Sequence, residues 1–120
     1  MVEDPTSQQI PPQILYADLF VAVVHKPSGL LVHRGEGRDP WTLVDALKEL
    51  WQQDTVYPVQ RLDRGASGAI LVAREKGAAR AYQEDLQGGA ISKIYHVLVR
   101  GSVPDYGLID HPLTSESGQT

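Results

Sequence analysis

The apolar and polar positions of this chain fall into short clusters, and the spacing inside each cluster predicts its element. Residues 14–16 and 19–24 are rich in β-branched and aromatic side chains and are separated by Ala17 and Asp18, which predicts two short strands around a tight turn. Pro27 supplies no backbone donor and Gly29 permits a positive φ, so Lys26-Pro27-Ser28-Gly29 breaks the run before residues 30–32 resume it as a strand. That turn presents Lys26 beside the sheet edge. Thr42 suits an N-cap for a helix over residues 43–51, with Leu43, Ala46, Leu47, Leu50 and Trp51 on one face and Asp45, Lys48 and Glu49 toward water. Residues 69–73 read as a buried strand, and residues 76–86 as a second helix that stops before Gly88 and Gly89. Residues 92–100 alternate, with Ile94, His96, Leu98 and Arg100 on one face and Lys93, Tyr95, Val97 and Val99 on the other, which predicts a strand; residues 108–111 predict one more. Residues 1–13 are polar, with three prolines, and read as a flexible arm ahead of a domain over 14–120; residues 35–40 read as a flexible charged loop.

Composition narrows the picture. A chain of 120 residues with 42% hydrophobic content amounts to one globular domain or part of one. It has no cysteine, which excludes disulfides, thiolate metal sites and a cysteine nucleophile and fits a reducing, cytoplasmic setting. The apolar run over 19–24 is far short of the ~20 residues that span a bilayer. Net charge is −4, yet every Lys and Arg lies between Lys26 and Arg100, while Glu3, Asp4, Asp18, Asp105, Asp110 and Glu116 place acid at the two ends. The middle is mildly basic, a weak signal for a nucleic-acid partner. His25, His33, His96 and His111 lack metal-ligand spacing, so no metal is expected.

The candidate chemistry sits in PVQRLDRGASG, residues 58–68. Asp63 lies between Arg61 and Arg64 on a stretch that ends in small residues and leads directly into the apolar run over 69–73. The arginines favour the charged carboxylate, and an ionised carboxylate on a loop is a nucleophile. The same residues also fit a structural Arg-Asp-Arg ion cluster, and taken alone they favour that plainer reading. Ser67 has no nucleophile elbow and no histidine in its segment, which argues against serine hydrolysis.

Three stretches occur in a telling order: KPSGLLVH from Lys26, RLDRGASG from Arg61 and KIYHVLVRG from Lys93. Together they resemble the ordered motifs of the RluA family of pseudouridine synthases over residues 14–113, and more closely its TruC-like tRNA branch than its large-subunit rRNA enzymes. With the elements above, the resemblance implies an α+β fold, a mixed, mainly antiparallel sheet with flanking helices. It implies isomerisation of uridine to pseudouridine in structured RNA, tRNA favoured, with neither cofactor nor metal. Asp63 matches the catalytic aspartate, which adds to the ribose or base or takes a ribose proton to give a glycal-like intermediate. Arg61 matches the arginine that fills the space of an everted uridine, and Tyr95 the tyrosine that stacks on the base. Arg64, Lys26 and Lys93 are the further RNA contacts implied, the two lysines at phosphates.

The sequence departs from the family pattern at Gln60, usually histidine, at Ala66, usually threonine, and at His25, commonly asparagine. A later Gly-Arg-Thr-His-Gln-like strand, with the basic partner of the aspartate, has no counterpart among these 120 residues. The resemblance is therefore to the N-terminal part of the catalytic domain. Alternative readings are an rRNA-directed enzyme of the same family, a non-catalytic RNA-binding remnant, or a structural domain without an RNA role.

Overall fold

The structure is a computed structural model that describes residues 11–34 and 41–113. The loop expected over 35–40 lies outside those residues. So does the expected arm up to residue 10, whereas Gln13 already belongs to the first strand. Four strands, β1 (Gln13–Ala17), β2 (Val21–Lys26), β3 (Tyr57–Pro58) and β4 (Gly68–Ala73), form one sheet in the order β1-β2-β4-β3. Helix α1 (Leu43–Trp51) precedes β3, and α2 (Lys76–Gln87) follows β4. All three strand pairings are antiparallel, so the mixed sheet expected from the sequence is purely antiparallel among the described residues.

The β1-β2 hairpin closes where Asp18 stands because its carboxylate accepts both Phe20 N–H and Val21 N–H at 2.8 Å, an Asx-type turn. Register then sorts the side chains. Ala22 opposes Val72 and Val24 opposes Ile70, and this face packs on Leu43 and Leu47 of α1, with Val32 and Val56 completing the core. The opposite face carries Val21 and Ala73 against Ala78 of α2, with Leu71, Tyr82 and Leu86 beside them. Each fully buried valine or leucine of this kind stabilises the fold by ~1.5–3 kcal/mol.

Thr42 caps α1 as the sequence predicts, with its hydroxyl accepting Asp45 N–H at 3.2 Å while the Asp45 carboxylate accepts Thr42 N–H at 3.0 Å. Asp45, expected to face water, is thus turned back onto the cap, where Arg34 also pairs with it at 3.0 Å. Leu50, expected in the core, is exposed. Residues 30–32 do not resume a strand. The carbonyls of Leu31 and Val32 accept the first two amides of α1, Leu43 N–H at 2.8 Å and Val44 N–H at 2.9 Å, and are committed to capping the helix.

Beyond α2 the alternation over 92–100 does not produce a strand, and neither does the run over 108–111. A ladder needs a partner edge, and no described strand lies alongside either run. Ile94, Val97, Leu98, Leu108 and Ile109 are consequently exposed.

Candidate active site

The loop between β3 and β4 is built from hydrogen bonds that begin before it. Val59 N–H donates to Leu71 O at 2.9 Å, and Leu71 N–H donates to the side-chain oxygen of Gln60 at 3.3 Å, so a glutamine side chain continues the β3-β4 pairing where the backbone leaves it. Gln83 of α2 holds Val59 O at 2.8 Å. Leu62 then packs against the main core, which turns its neighbours Arg61 and Asp63 outward, and both are exposed. Ala66 N–H closes a turn onto Asp63 O at 3.0 Å. Gly68, at φ +141°, brings the chain back into β4 through a conformation that favours glycine.

The Lys-Pro-Ser-Gly turn clamps this loop from the other side. Gly29, which holds the expected positive φ at +96°, donates its N–H to Arg64 O at 2.6 Å, and Ser28 Oγ donates to Gly65 O at 2.8 Å. Lys26 Nζ donates to Pro27 O at 2.9 Å, Leu30 O at 2.6 Å and Arg64 O at 3.1 Å. Lys26 is 0% exposed, so the sequence expectation of a phosphate contact at this lysine is corrected: its donors are spent on carbonyls inside the protein. Burial pushes its pKa below the ordinary lysine value, and the Asp63 carboxylate opposes that shift.

Two clefts open around the loop. The smaller, about 320 Å³, is lined by Arg61, Asp63 and Arg64 with Leu31, Val32 and His33. The larger, about 870 Å³, runs between residues 60–69 and residues 91–97 and takes in Arg61, Lys93 and Tyr95. Arg61 and Leu62 line both. Among the sequence-derived candidates the structure therefore gathers Arg61, Asp63 and Arg64 in one cleft and Arg61, Lys93 and Tyr95 in the next, and leaves Lys26 underneath. Tyr95 is 59% exposed and stands outside any strand, not on the expected one. Among the described residues no ion pair within 4.0 Å joins Arg61 to Asp63. The sequence reading missed Ser28, whose hydroxyl is a clamp, and the use of Gln60 as a substitute strand partner.

Comparison with known proteins gives a consistent result. Residues 20–120 match the family described as RNA pseudouridylate synthase. The chain is 39% identical over 106 residues to a tRNA pseudouridine synthase C of Pectobacterium carotovorum, an alignment covering 87% of this chain and 28% of that protein. It is 32% identical over 114 residues to the ribosomal large subunit pseudouridine synthase D of Yersinia pestis, covering 92% and 35% respectively. Among solved structures, human RNA pseudouridylate synthase domain containing 4 superposes with a TM-score of 0.51 at 29% identity, over 63% of this chain and 30% of that one. The chain thus spans between 28% and 35% of the length of these relatives.

Proposed function

The chain belongs to the RNA pseudouridylate synthase family, and from that premise we propose that it serves the isomerisation of uridine to pseudouridine in structured RNA, with tRNA as the substrate class. In that reaction the bond from the ribose anomeric carbon to the uracil nitrogen breaks and the ring turns. The same carbon then bonds to carbon five, carbon five releases its proton, and the nitrogen gains one. Atoms balance without a co-reactant. Asp63 is the reacting carboxylate, by addition to the substrate or by removal of a ribose proton, and either role needs a charged oxygen open to a cleft.

The observation that carries the reading is that Arg61, with Leu62 beside it, lines both the cleft of Asp63 and the cleft of Tyr95 and Lys93. An enzyme that works on a base inside a stacked helix must take it out, at a cost of a few kcal/mol. A planar guanidinium at this position fills the gap that the everted base leaves in the helix. Tyr95 offers a flat face for the detached uracil, and Lys93 a charge for phosphate. The tRNA preference follows the branch that the sequence motifs resemble; identities to proteins named tRNA pseudouridine synthase C run from 33% to 39% and overlap those to proteins named ribosomal large subunit pseudouridine synthase D, 32% and 37%.

Asp63→Asn is the test, because asparagine keeps the shape and loses the charge. Pseudouridine formation on tRNA should fall to background while RNA affinity stays within about twofold. Near-normal product from the variant would remove Asp63 from the chemistry.

A further inference from the structure

The larger cleft contains a hydrogen-bond donor whose orientation the fold dictates. A glutamine amide has an accepting end and a donating end, and its identity in space is settled by what it meets. At Gln60 the partner is Leu71 N–H, a donor, at 3.3 Å, so the oxygen must face the strand and the NH₂ must face away from it. The second half of the same step, Val59 N–H to Leu71 O at 2.9 Å, fixes the backbone on which the side chain stands. The amide is therefore held at its oxygen and at its root. Its nitrogen donates to no acceptor among the described residues, and Gln60 lines the cleft beside Arg61 and across from Lys93 and Tyr95.

We infer that Gln60 is a substrate-binding residue whose side-chain NH₂ donates to an oxygen of the RNA lying in the larger cleft. An oriented NH₂ between cationic neighbours selects an acceptor, and the acceptors RNA offers there are phosphate oxygens and uracil carbonyls. A pinned donor loses little rotamer freedom on binding, which gives it more of its bond energy than an exposed, mobile glutamine would deliver. The inference rests on the proposal that this cleft receives RNA.

The test uses the 120-residue chain, a stem-loop with a uridine loop and three variants. Gln60→Glu keeps the oxygen for Leu71 N–H and removes the donor. Gln60→Met removes both. Gln60→His in its neutral form restores one acceptor and one donor. Affinity should fall about tenfold for Glu and for Met, the ratio one hydrogen bond to a charged or strongly polar acceptor supplies, and should stay near the unmutated value for His. The loss in Gln60→Glu should persist at high salt, where simple repulsion between the carboxylate and RNA is screened. If Gln60→Met fails to fold, Gln60→Glu at high salt decides alone. Repeating the Glu comparison on the same stem-loop with base-free loop nucleotides separates the two acceptors: an undiminished effect assigns a phosphate, a lost effect a uracil carbonyl. Unmutated affinity in Gln60→Met, or a Gln60→Glu effect that vanishes with salt, overturns the inference. RNA binding that is sensitive to Arg61→Ala but indifferent to Gln60 defeats this inference and leaves the proposed function standing. No RNA binding by the unmutated chain defeats both.

Discussion

The ammonium of Lys26 lies 3.1 Å from the carbonyl oxygen of Arg64, thirty-eight positions away in sequence and one residue after Asp63. A buried cation is costly unless its donors are satisfied, and here three carbonyls satisfy them. The turn after β2 and the loop before β4 are therefore joined through the side chain of the last β2 residue, and the joint sets where Asp63 emerges.

Replacing Lys26 with Met leaves Pro27 O, Leu30 O and Arg64 O without that partner. Stability should drop by roughly 1–3 kcal/mol, the cost of unsatisfied buried polar groups, read as a lower denaturant midpoint. RNA affinity should lose nothing in its salt dependence, because a phosphate contact would contribute about one unit of the salt slope and this lysine makes none. A slope reduced by about one in Lys26→Met would restore the phosphate contact.

The two displaced titrations act at opposite ends of the pH scale. Lys26 titrates below the ordinary lysine value in the fold, so between its two pKa values the unfolded chain binds more protons and stability rises with pH there, up to the ordinary value near 10.5. Asp18 is held below the ordinary carboxylate range by the amides of Val21 and Phe20. Its contribution is complete above the ordinary value and is lost as pH falls through the lower folded one. Asp18→Asn should flatten the acid limb of a stability-against-pH curve, and Lys26→Met the alkaline limb. An unchanged acid limb in Asp18→Asn would show that the hairpin turn does not depend on that charge.

Much of this was legible in the sequence because local patterns and their partners were both present. The Thr42 cap, the helix over 43–51, the hairpin around Asp18 and the stop at Gly88 are set within a few residues, and they stand where the pattern puts them. Lys26 was readable too. Ala22, Val24 and Lys26 share one face of β2, and the first two are core, so alternation points the lysine inward; its charge drew attention to the surface instead. Residues 30–32 and 92–100 were misread for a different reason. Their β propensity is real, but a strand exists only where an edge accepts it, and the carbonyls of Leu31 and Val32 are taken by α1 while the later run meets no edge.

For Arg61 the geometry separates shape from charge. If the guanidinium stands in for an everted base, Arg61→Ala should weaken both binding and turnover on folded RNA, by about tenfold or more. Arg61→Lys should recover little of it, since lysine keeps the charge but has no plane to stack. On unstructured RNA, where there is no helical gap to fill, the two variants should differ much less. Equal rescue by lysine on folded RNA would point to plain phosphate attraction at this wall.

Residues 91–97 form one side of the larger cleft, and within them Tyr95 has no ladder to hold its backbone. A stacking platform for uracil must hold its ring against the base at fixed distance, and a displacement of about 1 Å in a reacting geometry costs on the order of a hundredfold in rate. The 120-residue chain should therefore convert uridine at least about a hundredfold more slowly than a family member in which this run is paired, and its RNA binding should fall steeply with salt. The cause is testable apart from the rate. Amide hydrogen exchange over 92–100 should be nearly as fast as in an unfolded peptide while β2 and β4 remain protected, because exchange follows local backbone pairing. Protection of residues 92–100 comparable to that of β4, together with turnover near that of the longer relatives, would mean that the Tyr95 wall is already rigid in this chain and that its ring needs no further support.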